Sequence, residues 1–454
     1  MIKFLPLGGA NEIGANCYYL NLDETGILLD CGMHPRKTGL DALPDFNLLK
    51  DKPLDYVLIT HAHQDHINSL PFLVKSFPHV KIVTTPQTRA LAELTLHNAI
   101  SILKRQINDD SFQIYSHEEV DLLIKSIDYK AYNEPFVITG HRSAGKEKVT
   151  AEFYDAGHVL GSAGILISYD NKKIFYTGDI NLSSQTIISE ASLPKTKVDI
   201  LITECTYGAT DSSTLNDWNE EVERFITSLN KILNRGGSVL IPVFSLGKMQ
   251  EILATLNLKM IEGKLTETDI YTGGISKKIN RVYDYNRYVV NRNERELVLH
   301  DIPQKNIYEI NNTEDLFKYP SIVLASSGMM NENTMSFTLA RRWLREKDSA
   351  IFTVGYMDEE SPGFKFACAN RGDKIKLSES EKETEVRCEI NNFKFSAHAR
   401  REELLEIVKM LKPGNVILVH GDEDAINWVG KFVLKMKKGI KVTSAAVKNE
   451  ISFA

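Results

Sequence analysis

Cysteine is scarce and poorly placed for structural work. There are five in 454 residues (Cys17, Cys31, Cys205, Cys368 and Cys388), an odd number with no Cys-x-x-Cys pair. That excludes a disulfide framework and a thiolate zinc site, and leaves the cysteines as small buried hydrophobes. No apolar run is long enough for a membrane span, and residues 1–7 carry one lysine and a short apolar stretch before Gly8-Gly9 rather than the pattern of a secretion signal. A soluble cytoplasmic protein with no membrane partner is expected. Positive charge is also in deficit: 54 Lys and Arg against 60 Asp and Glu give a formal net charge of −6. A protein that holds nucleic acid through a globally basic surface is thereby excluded, so any polyanion has to be bound locally. Carboxylates that ligate cations would account for part of the negative count. Internal repeats and low-complexity segments are absent as well.

What is present is an α/β texture on a chain long enough for two or three domains. Short strand-like runs at 2–7, 17–20 and 26–29 are joined by Gly, Asn and Asp turns. From Tyr56 onward, apolar runs at 56–59, 82–84, 174–176 and 200–202 alternate with helical stretches, several ending in polar turns where open α/β sheets keep their sites. A second α/β unit begins after Cys205, with a buried strand at 238–244, a helix whose apolar face carries Leu246, Met249, Leu253 and Leu256, and further strands at 322–325 and 350–355. After Lys374 the first texture returns. A helix with Leu404, Ile407, Val408 and Leu411 on one face stops at Pro413-Gly414, and an apolar strand follows that ends at His420. Residues 281–312 interleave Tyr283, Tyr285 and Tyr288 with Arg281, Arg287 and Arg292. We read this stretch as a solvated loop and helix face, with a stacking surface for bases as the alternative.

The strongest chemical signal is His61-Ala62-His63-Gln64-Asp65-His66, directly after a buried strand. Three imidazoles and a carboxylate on one turn suit zinc, which favours imidazole nitrogen and carboxylate oxygen. On a loop, His61 and His63 can point one way and Asp65 and His66 another, so that one stretch serves two metals. Four or five ligands per metal are needed, and the remainder must come from other strand ends. His158 in the glycine-flanked turn Gly157-His158-Val159-Leu160-Gly161, Asp179 at the tip of a strand, and His420 at the end of a late strand are the candidates.

These residues resemble the metallo-β-lactamase superfamily, and within it the β-CASP nucleases. The superfamily resemblance rests on Leu28-Leu29-Asp30-Cys31-Gly32, His61 to His66, Gly157-His158 and Thr177-Gly178-Asp179; the β-CASP resemblance rests on Glu204 in Thr-Glu-Cys-Thr-Tyr-Gly, His398 in Phe-Ser-Ala-His, and His420. Supporting segments are 242–251, 325–330 and 355–363. The resemblance covers nearly the whole chain and implies an αββα sandwich built from residues 1–205 and 373–454, with an α/β β-CASP domain inserted at 206–372. It implies two Zn²⁺ per chain, one held by His61, His63 and His158, the other by Asp65, His66 and His420, with Asp179 bridging. A histidine at the last motif is similar to the RNA-cleaving branch, and the Phe-Ser-Ala-His form resembles pre-mRNA 3′-end cleavage nucleases and their bacterial and archaeal relatives more than RNase J. Neither a KH domain before Met1 nor the C-terminal domain of RNase J after His420 is expected. The sequence departs from the family pattern at Arg400, which replaces a common acidic residue, at Asn331, Glu332 and Asn333, which replace glycines, and in the lack of a basic residue after Glu204.

Phosphodiester hydrolysis needs a nucleophile at neutral pH, neutralisation of charge on the phosphoryl oxygens, and a proton for the leaving oxygen. Two metals meet the first two needs, and the resemblance assigns catalysis to Asp65, Glu204 and His398, with His398 protonating the leaving 3′-oxygen and Glu204 orienting it. Ser326, Ser327 and Gly328, following a strand, form a candidate phosphate cradle for substrate. The expectation is thus a zinc-dependent ribonuclease acting on single-stranded RNA, internally or from a 5′ end, as a monomer or a homodimer. The competing readings are a DNA nuclease of the same fold, a small-molecule metallohydrolase of the lactonase or thioesterase type, and a non-catalytic RNA-processing scaffold.

Overall fold

Along strand Thr25–Leu29, Ile27 and Leu29 enter one apolar cluster and Leu28 another, and the same alternation puts Ile200 and Ile202 in the first cluster and Leu201 in a third. A period of two buries both faces of each sheet, so every sheet needs a partner on both sides. A computed structural model of the protein describes residues 1–106, 114–142, 148–355, 357, 359–378, 382–436 and 438–453. Of the family-like segment 355–363, Tyr356 and Asp358 lie outside the described residues.

Contacts divide the chain into two units. The first comprises Met1–Ser183, Glu190–Ser212 and His398–Ala454. It holds two seven-stranded sheets, one ordered Ile451–Phe453, Ile2–Gly8, Cys17–Leu22, Thr25–Leu29, Tyr56–Leu58, Lys81–Thr84 and Ile127–Tyr129, the other Lys441–Ser444, Asn415–Leu418, Ile200–Thr203, Lys172–Tyr176, Ala163–Tyr169, Val149–Asp155 and Phe136–Ile138. The cluster shared by the sheets includes Phe4, Leu20, Leu58, Phe153, Ile165 and Ile417, all at most 1% exposed. Each such side chain contributes roughly 1.5–3 kcal/mol by leaving water. The outer face of the first sheet packs its Leu28, Val57 and Ile82 on Leu70, Leu96 and Leu123 from helices Leu70–Ser76, Pro86–Gln106 and His117–Ser126. The outer face of the second packs Leu201, Val416 and Leu418 on Leu404, Ile407 and Val429 from helices Arg401–Leu411 and Glu423–Met436. The unit is an αββα sandwich. Among the described residues, no helix is long and apolar enough to cross a membrane.

The second unit comprises Ser184–Ser189 and Ser213–Ala397. Its six-stranded sheet is parallel throughout, ordered Lys305–Asn306, Asp269–Thr272, Ser321–Ala325, Val239–Pro242, Ala350–Val354 and Glu389–Phe393. Helix Trp218–Asn234 starts at a capping box in which Asp217 accepts from the Glu220 N–H and Glu220 reaches back to the Asp217 N–H. This is the inserted α/β domain. Its sheet includes Glu389–Phe393, beyond the expected boundary at 372. That strand, polar and half exposed, is held by one neighbour, Ala350–Val354, with five residues in register.

Candidate metal centre

Strand Tyr56–Leu58 delivers the chain to Thr60, and the strand beside it, Thr25–Leu29, ends at Asp30, with Leu29 opposite Leu58. Asp30 adopts a left-handed backbone (φ 60°) and is fully buried. Its carboxylate accepts from the Thr60 N–H (2.7 Å), the Thr60 hydroxyl (2.8 Å), the Tyr176 hydroxyl (2.8 Å) and His66 Nδ1–H (2.8 Å). A carboxylate only accepts, so His66 carries a proton on Nδ1 and turns Nε2 towards Asn16, Asp65 and Asp179. Thr60, having donated to Asp30, accepts from His61 Nδ1 at 3.1 Å, which turns His61 Nε2 towards His63 and Asp179. Gly32 allows a second contact between the ends of these two parallel strands: a Cβ there would lie 1.6 Å from the Asp65 carbonyl oxygen. The close approach lets the Cys31 N–H donate to the His66 carbonyl at 2.8 Å.

Three side-chain groups result. His61 Nε2 and His158 Nε2 lie 3.0 and 3.1 Å from His63 Nδ1, and Asp179 Oδ2 is 3.6 Å from His61 Nε2 and 3.7 Å from His158 Nε2. His158 sits after Gly157 at φ 67°, where a Cβ would come within 2.5 Å of the Ala191 nitrogen. The second group joins Asp65, His66 and His420, with His420 Nε2 3.3 Å from Asp65 Oδ2. Asp179 Oδ1 faces this side, 3.1 Å from His420 Nδ1 and 3.4 Å from His66 Nε2, and it is a buried oxygen with no hydrogen bond of good geometry. The third group is Asp179, Glu204 and His398. Glu204, 1% exposed, accepts the Ile180 N–H at 2.7 Å and the Thr206 N–H at 3.4 Å, and both its oxygens lie 3.1 Å from His398 Nδ1.

Charge follows this layout. Burial lowers the pKa of His61 well below the ordinary imidazole range, helped by the neighbouring His66. Burial opposes charge on His420 as well, but Asp179 and Asp65 outweigh it and push its pKa up to about 10. At His398 burial is again outweighed, here by Glu204 and then Asp179, so its imidazolium is held above the ordinary range. His398 is 16% exposed whereas Asp179 is 3% exposed and His420 4%. It is the most exposed member of the third group. Nitrogen and oxygen donors that converge in this way, around a buried carboxylate oxygen lacking its own hydrogen bond, fit divalent cations of the zinc type.

All seven candidate ligands, and Glu204 and His398, therefore meet in the first unit. Ser326, Ser327 and Gly328 lie in the second unit after strand Ser321–Ala325. There the Ser327 hydroxyl accepts from the Asn331 N–H at 3.3 Å, and the Ser326 and Ser327 carbonyls accept from the Ser336 N–H (3.0 Å) and hydroxyl (2.7 Å). Sequence reasoning gave no role to Asp30, Thr60 or Tyr176, and missed Asn16, whose Nδ2 is 2.9 Å from His66 Nε2 and whose Oδ1 accepts from Tyr18. It also missed Thr206, 3.2 Å from His420 Nδ1.

Three family profiles match the chain: the metallo-beta-lactamase superfamily at residues 10–199, the Beta-Casp domain at 249–366, and the Zn-dependent metallo-hydrolase RNA specificity domain at 383–442. The RNase J-like protein of Methanocaldococcus jannaschii is 30% identical over 418 residues, covering 91% of each chain. The chain belongs to the β-CASP metallo-hydrolases of the metallo-β-lactamase superfamily. Cleavage and polyadenylation specificity factor 73 of Drosophila melanogaster is 30% identical to this β-CASP chain over 94% of its length, and endoribonuclease YSH1 of Candida glabrata is 29% identical over 98%. This chain spans 61% and 58% of those two longer proteins. A protein of unknown function from Enterococcus faecalis V583 shares the fold, with a TM-score of 0.57 at 12% identity and 99% coverage of both chains.

Proposed function

We propose that this chain is a two-zinc ribonuclease that hydrolyses single-stranded RNA to 5′-phosphate and 3′-hydroxyl ends. The observation that carries the reading is Asp179, whose two oxygens face two separate donor sets while the Glu204–His398 pair stands beside it. His61, His63 and His158 would hold one ion and Asp65, His66 and His420 the other, with Asp179 shared between them. Two such cations, when bound, lower the pKa of water towards about 7 and neutralise charge on phosphoryl oxygens.

The protein's own residues supply the rest. Glu204, fixed by backbone N–H groups, orients the His398 ring through Nδ1 and favours its protonated form. His398 Nε2–H then gives its proton to the 3′-oxygen as the P–O3′ bond breaks. Asp65, besides serving as a ligand, accepts the proton of the attacking water. Backbone groups of Ser326, Ser327 and Gly328 contact phosphates of the substrate. RNA is favoured over DNA because the RNA specificity profile spans His398 and His420, and because the relatives include named endoribonucleases. The five cysteines are free thiols, four of them buried and Cys368 exposed, where burial of all five was expected.

The test separates proton donor from ligand. His398→Ala should keep its metal and fold while losing on the order of 10²- to 10⁴-fold in rate, the usual worth of a positioned general acid. RNA whose 3′-bridging oxygen is replaced by sulfur has a leaving group that hardly needs protonation, so the variant should be nearly as fast as the parent on it. Glu204→Gln should show a smaller defect of the same kind. Metal loss in His398→Ala, or equal slowing on both substrates, would remove His398 from the role of acid.

A further inference from the structure

The tyrosine- and arginine-rich segment beginning at Arg281 separates, in the folded chain, into inward and outward residues. Tyr283 is fully buried and Arg292 is 2% exposed, its guanidinium donating to the Tyr283 and Leu297 carbonyls. These two are structural. Tyr285 and Tyr288, by contrast, are 83% and 58% exposed. Helix Ser276–Tyr285 sets their register: Lys278, Arg281, Tyr285 and Tyr288 follow one another at intervals of three or four, which is one face of a helix and the turn that continues it. Lys278 and Arg281 are exposed.

Charge marks this face against the rest of the chain. Residues 277–288 carry four cations, Lys277, Lys278, Arg281 and Arg287, and one carboxylate, Asp284, in a protein of net charge −6. Asp284 is turned inward, accepting the Leu299 and His300 N–H groups at 2.8 and 2.9 Å, so it does not cancel the cations on the surface. The Arg287 guanidinium stacks on the Tyr288 ring at 4.7 Å, and the Tyr288 hydroxyl donates to Glu296 at 3.1 Å, which props the ring at its rim. Two exposed aromatic rings, one of them backed by Arg287, in line with two exposed cations match a polymer with flat bases on one side and a phosphate chain on the other.

We propose that the face formed by Lys278, Arg281, Tyr285 and Tyr288 binds single-stranded nucleic acid, the tyrosines stacking on successive bases and the cations holding phosphates. It would serve as a platform of the inserted domain that engages RNA by itself, and it rests on the ribonuclease reading only for the identity of the strand.

The test uses the metal-loaded chain with a short phosphorothioate RNA, followed by fluorescence anisotropy. Joint replacement Tyr285→Ala and Tyr288→Ala should weaken binding on the order of ten-fold or more with an unchanged salt slope, because stacking is uncharged. Tyr285→Phe with Tyr288→Phe should bind as the parent does. Lys278→Gln with Arg281→Gln should instead lower the salt slope, by roughly 0.7 for each phosphate of a single strand that is no longer neutralised. All these residues are exposed, so the variants should hydrolyse bis(p-nitrophenyl) phosphate, too small to span the platform, at the parental rate. Unchanged RNA affinity in the alanine pair overturns the platform while leaving the ribonuclease reading intact. If the parent binds RNA through these tyrosines yet does not cleave it, the platform stands and the ribonuclease reading falls. A parent that binds neither RNA nor single-stranded DNA overturns the platform outright.

Discussion

Asp30 has no role toward substrate, and its replacement tests how the centre is held. It is fully buried and accepts four hydrogen bonds, from the Thr60 N–H and hydroxyl, the Tyr176 hydroxyl and His66 Nδ1. Alanine would leave four buried donors without an acceptor, at about 1–3 kcal/mol each. The sum is comparable with the whole stability of a domain, about 5–15 kcal/mol, so Asp30→Ala should fold poorly or not at all. Asp30→Asn is the informative change. Its carbonyl oxygen can still accept from Thr60, while its amide brings a donor against Tyr176 or His66. One or two hydrogen bonds are lost, at about 1–3 kcal/mol in urea unfolding. Because His66 is then no longer oriented through Nδ1, affinity for metal should fall roughly 10- to 100-fold in a chelator competition, the usual effect of removing such a partner. Tyr176→Phe is the control: it removes one hydrogen bond of the four, so stability should drop by about 1 kcal/mol with metal affinity kept. Wild-type affinity and midpoint in Asp30→Asn would refute the claim that Asp30 orients His66.

Asp179→Ala should lower occupancy at both metal positions, from close to two zinc ions per chain, as read by plasma mass spectrometry; loss at one position alone would deny the shared role. Asp155, which accepts the Gly157 N–H at 3.0 Å, has its carboxyl pushed up from 3.8 to about 7 by burial. Between those values the unfolded chain releases a proton that the folded chain retains, so the contribution of Asp155 to stability should fall as pH rises from about 4 to about 7 and level off above. The difference in stability between Asp155→Asn and the parent, followed by urea titrations, should change with pH in that window, and a pH-independent difference would place the proton elsewhere.

The parts of the site that were legible in the sequence share one property: each carries a local mark, a spacing or a seat at a strand end. His61, His63, Asp65 and His66 declare themselves by spacing after a strand, and His158, Asp179 and His420 by their seats at strand ends. Asp30 entered only through a family-like motif, and Asn16, Thr60, Tyr176 and Thr206 had no signal, because each meets its histidine or carboxylate across strands that only the sheet register brings together. The sheet pairs Leu29 with Leu58, and that single step puts Asp30 beside Thr60. The fold shows the same division. Strand and helix periods at 200–202 and 404–411 were plain, since their apolar positions recur at two and at three to four residues. Glu389–Phe393 was not, because an edge strand of sequence Glu-Ile-Asn-Asn-Phe, paired on one side, need not be apolar. In the tyrosine-rich segment, composition named the residues but could not say which faced inward, and burial of Tyr283 and Arg292 divides them.

The central claim is that this β-CASP chain uses its paired donor sets to hydrolyse RNA. Its most direct test is the rate at which the zinc-loaded protein degrades single-stranded RNA compared with single-stranded DNA of the same sequence, with product ends identified. RNA cleavage should be far faster than DNA cleavage, its products should carry 5′-phosphate and 3′-hydroxyl termini, and a chelator should abolish the activity. Equal rates on the two polymers, or full RNA cleavage after both ions are removed, would contradict it.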